Sequence, residues 1–150
     1  MQPLHLPPAQ LTIVQRNGAD YVLDVLRRRY VRLTPEEWVR QHFVAYLVHH
    51  RGYPAGLLGN EVSLRLNGMQ RRCDTVLFDR ECRPRMILEY KAPHVALSQR
   101  VVDQVCRYDS VLDAPWLVVS NGLCHHCFRR SDDDAGLWTA VPEIPDYDRL

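Results

Sequence analysis

The spacing of apolar and polar positions changes period several times along the 150 residues, and each change marks an element. In TPEEWVRQHFVAYLVHHRG (34–52), Val39, Phe43, Tyr46, Leu47 and His50 recur at helical intervals. Thr34 can cap that helix, Pro35 suits its first position, Glu37 falls where a capping box places an acid, and Gly52 can end it. SQRVVDQVCRYDSVL (98–112) predicts a second helix, with Val101, Val105, Tyr108 and Leu112 on one stripe. EVSLRL (61–66) alternates with period two and reads as a strand, as do CDTVLF (73–78) and RMILEYK (85–91). PWLVVS (115–120) reads as a buried strand, with LCHHCF (123–128) and LWTAV (137–141) as shorter ones. YVLDVLRRRYVRL (21–33) has mixed periodicity and reads as an extended strand or hairpin. Residues 1–19 read as a loose leader and 142–150 as an extended tail, which leaves one domain over 20–150. Strands interleaved with two long helices predict an α/β fold, a mixed central β-sheet flanked by α-helices.

The stretch 71–93, RRCDTVLFDRECRPRMILEYKAP, breaks the pattern from within. Its two strands are apolar on both faces and so belong in the middle of a sheet. Yet Asp74 interrupts the first, and Glu89 and Lys91 interrupt the second. If the connection closes over Arg80–Arg83, antiparallel register sets Asp79 opposite Pro84 and Asp74 opposite Glu89. Opposed residues share a face with Cβ atoms about 4.5–5.5 Å apart. Lys91 then lies about 7 Å further along that face. Two carboxylates so close repel by roughly 4 kcal/mol at 4 Å and an effective dielectric of 20. A shared proton or a cation must relieve them, and hard oxygen ligands with room for water suit Mg²⁺ or Mn²⁺.

Composition sharpens one residue. Of nineteen lysines and arginines, Lys91 is the single lysine. Beside a metal, a lysine can orient or help deprotonate an attacking water, whereas arginine stays charged above pH 12 and takes no part in proton transfer. The alternative is a buried Asp–Lys–Glu ion cluster that serves stability alone. Net charge is only +1. The clusters Arg27, Arg28, Arg29, Arg32 and Arg71, Arg72, Arg80, Arg83, Arg85 read either as solvated faces or as phosphate-contacting surfaces. No apolar run approaches a membrane span and no signal peptide is read. Five cysteines at irregular spacing fit reduced thiols and a cytoplasmic setting.

Asp74 followed by Glu89-Tyr90-Lys91 resembles the D…(D/E)-x-K signature of the PD-(D/E)xK nuclease superfamily. TPEEWVRQHFVAYLV, GYP, NEVSL, RRCDTVLFD, ILEYKAP and WLVVSNG, in that order, resemble the N-terminal nuclease domain of type I restriction enzyme R subunits over roughly residues 20–145. The resemblance implies a restriction-endonuclease-like fold and Mg²⁺-dependent cleavage of DNA. It makes Asp74 and Glu89 metal ligands, the Tyr90 carbonyl a further ligand, and Lys91 the residue that activates water. Gln104 and Tyr108 resemble the Q-x-x-x-Y element of RecB-like nucleases, which implies that they line the cleft; otherwise Gln104 is an exposed helix residue and Tyr108 core packing. The resemblance also brings a first-helix glutamate near the metal, with Glu37 the first candidate, Glu36 next and Glu61 weaker. Cys73 stands where the superfamily name has proline. With its single lysine at 91 the chain holds no G-x-x-x-x-G-K-[ST] phosphate loop, so motor-driven restriction is not expected of it without separate motor or specificity subunits. A nucleic-acid-binding or assembly module of the same fold is the rival reading.

Two further patterns carry less. Cys124-His125-His126-Cys127 lacks a second ligand pair, and adjacent strand histidines point to opposite faces, so an ordinary strand is expected. Ser131 to Asp134 reads as a solvated hairpin loop.

Overall fold

The computed structural model describes residues 1–132 and 137–150. The element order begins with strands β1 (Ile13–Arg16), β2 (Ala19–Asp24) and β3 (Arg29–Arg32), then helix α1 (Pro35–His50). Strands β4 (Leu58–Leu66), β5 (Met69–Phe78) and β6 (Pro84–Tyr90) follow, then helix α2 (Gln99–Asp109). Strands β7 (Trp116–Ser120), β8 (His125–Arg130) and β9 (Trp138–Val141) complete the order. β1 to β3 form an antiparallel three-stranded sheet, and β4 to β9 form a six-stranded sheet in sequence order. All neighbours in the larger sheet are antiparallel except β6 and β7, which are parallel because α2 carries the chain back across the sheet. The fold is α/β with a mixed sheet, as the periodicity implies.

The two helices cover opposite faces. Leu77, Met86, Leu88 and Val118 pack with Val39, Phe43 and Leu47 of α1. Val76, Ile87, Leu117 and Val119 alternate with them and pack toward Val105 of α2. α1 starts as its sequence dictates: the Thr34 hydroxyl accepts a hydrogen bond from the Glu37 N–H at 3.1 Å, and Pro35 occupies the first turn.

Three expectations need correction. The leader is not all loose, because β1 pairs with β2 across an Asn17-Gly18 turn with both φ angles positive. Its first residues are also docked, with the His5 N–H donating to the Gly122 carbonyl at 2.8 Å. The tail 142–150 is not simply extended: Ile144 is buried, Tyr53 donates to the Pro145 carbonyl, and Tyr147–Arg149 forms a 3-10 turn. Finally, Phe78 rather than Asp79 faces Pro84, because a bulge between Leu77 and Phe78 absorbs one residue near the turn. The 125–130 stretch is an ordinary strand, and all five cysteines are unbonded. The loop read over 131–134 lies partly outside the described residues. Among those described, no helix is long and apolar enough to cross a membrane.

Candidate active site

The bulge leaves the centre of the hairpin untouched. Thr75 faces Leu88 and Val76 faces Ile87, so the same register continued sets Asp74 across from Glu89. The Tyr90 N–H donates to Asp74 Oδ2 at 2.8 Å, closing the end of the ladder through a side chain. Tyr90 itself turns its ring to the other face, where it is buried against Phe43. Lys91 follows the last residue of β6 and is held by its N–H to the Ser120 carbonyl at 2.9 Å.

α2 brings Gln104 and Tyr108 to the lysine. Lys91, Val101, Gln104, Val105 and Tyr108 line one recess of about 250 Å³. Gln104 is exposed, and Tyr108 is also exposed rather than core, which discards the packing alternative for it. Among the described residues no carboxylate lies within ion-pair distance of Lys91.

Glu37 is not brought to the Asp74–Glu89 pair. One of its oxygens takes Arg27 at 2.8 Å, and the other takes Gln41 at 3.0 Å and Arg40 at 3.2 Å. A carboxylate already satisfied by two guanidiniums is a scaffold for them, and the nearby Arg27 that claims it belongs to a cluster read as surface. What Glu37 positions is Arg40. That buried guanidinium donates to Glu61 at 2.5 Å and to the Asp74 carbonyl at 3.2 Å, and it stands 4.0 Å from Asp74 Oδ1. Burial pulls the Arg40 pKa down, but Glu37, Glu61 and Asp74 more than offset this and hold it charged. Glu61 reaches Arg40 from a positive φ in mid-strand, across from Asp74 in the register set by Asn60–Thr75 and Val62–Cys73.

Glu89 has the opposite surroundings. Its Oε1 is buried and takes no N–H donor, while the carboxyl lies within hydrogen-bonding reach of the Asp109 and Asp74 carboxylates. Burial, then the neighbouring carboxylates of Asp109 and Asp74, push its pKa up to about 10. Asp109, at the end of α2, is also raised by burial although Arg71 opposes the shift from 2.6 Å. Arg71 also donates to the Tyr108 carbonyl, so one buried guanidinium ties the last turn of α2 to β5. Arg40, Arg71 and Asp109 carry no signal in local sequence spacing; the only hint is that each lies in an otherwise amphipathic element yet is buried.

Of the arginine clusters, Arg27 and Arg71 are thus internal ion pairs, whereas Arg28, Arg29, Arg32 and Arg72 are exposed. The residues present suit a hard divalent cation. Glu89 Oε1 is buried without an N–H donor, so a cation would satisfy it, and Asp74 beside it keeps its side chain 29% exposed. Among the described residues no three His, Cys, Asp or Glu side chains converge as a complete cage, so water and backbone carbonyls would fill the remaining positions.

Residues 35–145 match the family model described as type I restriction enzyme R protein N terminus. No curated protein matches. Among solved structures, one titled as the cryoEM structure of the DrdV–DNA complex aligns with 17% identity and a TM-score of 0.46, covering 71% of this chain and 10% of that one. The chain spans about a tenth of that protein.

Proposed function

The chain belongs to the family of type I restriction enzyme R protein N-terminal domains, and on that premise we propose that it is a metal-dependent nuclease domain hydrolysing phosphodiester bonds, in DNA. The observation that carries this reading is the Asp74–Glu89 pair, with a Glu89 oxygen that takes no N–H donor beside Asp74 and Lys91 next along the strand. Asp74 and Glu89, with the Tyr90 carbonyl, would hold Mg²⁺, or Mn²⁺ in its place. Bound there, the cation supplies Lewis-acid stabilisation of charge on the phosphate and acidifies water.

The chain's own residues do the rest. The Tyr90 N–H, with Arg40 4.0 Å away, fixes the Asp74 carboxylate in place. Lys91, with no carboxylate to occupy it, orients the attacking water and can exchange a proton with it. Gln104 and Tyr108 wall the other side of the Lys91 recess and position the scissile strand. Separate motor or specificity subunits would supply translocation and target choice.

The test is cleavage of linear and circular DNA with Mg²⁺ or Mn²⁺, wild type against Lys91→Ala. Metal-dependent cutting that disappears in the variant supports the reading; cutting that survives it contradicts the role of Lys91. The rival reading is a catalytically silent DNA-binding or assembly module of the same fold. Metal-independent binding without any cutting would select it.

A further inference from the structure

The Tyr108 side chain separates two recesses. One contains Lys91; the other, about 270 Å³, is lined by Met69, Arg71, Gln104, Arg107, Tyr108 and Val111. Its apolar walls are exposed: Tyr108 at 61%, Met69 at 53% and Val111 at 39%. Large apolar side chains left in water around one concavity, beside a cationic site, mark a binding surface. The ring is also braced from behind. The backbone that carries it is held because Arg71 donates to the Tyr108 carbonyl, while Asp109 anchors Arg71 in a buried ion pair of 2.6 Å. Burying such a pair costs desolvation that a merely solvated tyrosine would not require.

We propose that the Met69–Tyr108–Val111 recess receives an unstacked nucleobase of the strand whose phosphate lies at Lys91, so that the substrate is single-stranded or locally unpaired nucleic acid. The chemistry of the walls selects this occupant. A base offers a flat π-face to Tyr108 and Met69, and a polar edge to the Gln104 amide. Arg107, exposed at the rim, meets the backbone charge. Gln104 and Tyr108 border both recesses, so a base in one and a phosphate in the other can belong to neighbouring parts of a single strand. A paired base inside a duplex cannot enter, because its faces are occupied by stacking. The proposal rests on the nuclease reading only where it places the phosphate at Lys91.

Binding in metal-free buffer with EDTA separates the two. The full chain is titrated into a single-stranded oligonucleotide carrying 2-aminopurine and into a hairpin duplex of the same composition. Wild type, Tyr108→Ala, Tyr108→Phe and Met69→Ala are compared, with thermal melts confirming that each folds. The expected result is tighter binding of the single strand, quenching of 2-aminopurine emission, and loss of both with Tyr108→Ala. That loss amounts to roughly five- to hundredfold in single-strand affinity, the usual worth of one stacked base. Tyr108→Phe keeps the quenching, since only the ring is needed, and Met69→Ala falls between. An unchanged affinity in Tyr108→Ala, or an equal loss on single strand and duplex, overturns the proposal. So does a wild type that binds neither form, which would leave the recess to a protein partner. Quenching without metal-dependent cleavage would sink the catalytic reading and leave the base pocket standing. Cleavage that depends on Lys91 but is indifferent to Tyr108→Ala in strand preference would do the reverse.

Discussion

Asp74 and Glu89 are both carboxylates and face each other across neighbouring strands, yet the protein treats them oppositely. Asp74 is partly exposed, accepts the Tyr90 N–H and has the Arg40 guanidinium at 4.0 Å. Glu89 is half-buried with its Oε1 shut off from solvent, and its neighbours are the acids Asp109 and Asp74 instead of a cation. Burial beside other acids favours the protonated form of a carboxyl group. On the function proposed above, Asp74 would offer a solvent-open ligand oxygen, and Glu89 would become a ligand when a cation displaces its proton.

The largest disturbance should come from breaking the support on the Glu89 side. Arg71→Met leaves Asp109 buried and unpaired beside Glu89, a defect of about 3–5 kcal/mol. A Tm lower by on the order of 10 °C is expected in a thermal melt. An unchanged melt would mean that Arg71 does not neutralise this cluster.

The pH dependence comes next. Glu89 has a folded pKa raised from the ordinary 4.5 to about 10, so between these values the folded chain holds a proton that the unfolded chain has released. Stability from this group is therefore fully present below pH 4.5 and is lost as pH rises toward 10. Melting of the metal-free protein should fall across that window. Glu89→Gln, which cannot ionise, should flatten the slope and melt higher than wild type at pH 9. A variant with the same slope as wild type would assign the effect elsewhere.

Arg40→Met tests the Asp74 side and should cost less, about 1.5–3 kcal/mol. Glu37 keeps Arg27 and Glu61 keeps Arg72, so neither carboxylate is stranded. Asp74 loses the guanidinium beside it, and metal-dependent cleavage should fall; a rate equal to wild type would contradict a role for Arg40 in positioning Asp74. The smallest effect is expected from Thr34→Ala, which removes the cap of the helix that carries Arg40. It should lower stability by about 1 kcal/mol in denaturant titration and leave the pH profile alone.

How much of this was legible in the chain follows from the range of the interactions involved. α1 was readable because its cap, first-turn proline and apolar stripe all lie within one stretch. The Asp74–Glu89 opposition was readable because two apolar strands with one short connection allow few registers, and the bulge at Leu77/Phe78 happened to spare it. Arg71 and Asp109 were not, since Arg71 meets Tyr108 and Asp109 37 and 38 residues away, and Arg40, although Glu37 is one turn away, reaches Asp74 34 residues on; no periodicity reports a charge partner at that distance. Glu37 was legible only in part: its position in a capping sequence says where its backbone lies, not that Arg27 and Arg40 will claim its side chain. β1 did leave a local trace, the Asn17-Gly18 pair that the two-residue turn requires. Four residues of strand before it were too short to show alternation.

The central claim is that Glu89 exchanges its proton for a divalent cation held jointly with Asp74. The most direct measurement is calorimetric titration of the metal-free protein with Mn²⁺ at pH 7.5, in two buffers of different ionisation enthalpy, which counts the protons released. The account predicts binding at one site with release of about one proton per Mn²⁺, and no binding by Asp74→Asn or Glu89→Gln. Binding without proton release, or binding that survives Glu89→Gln, would contradict it.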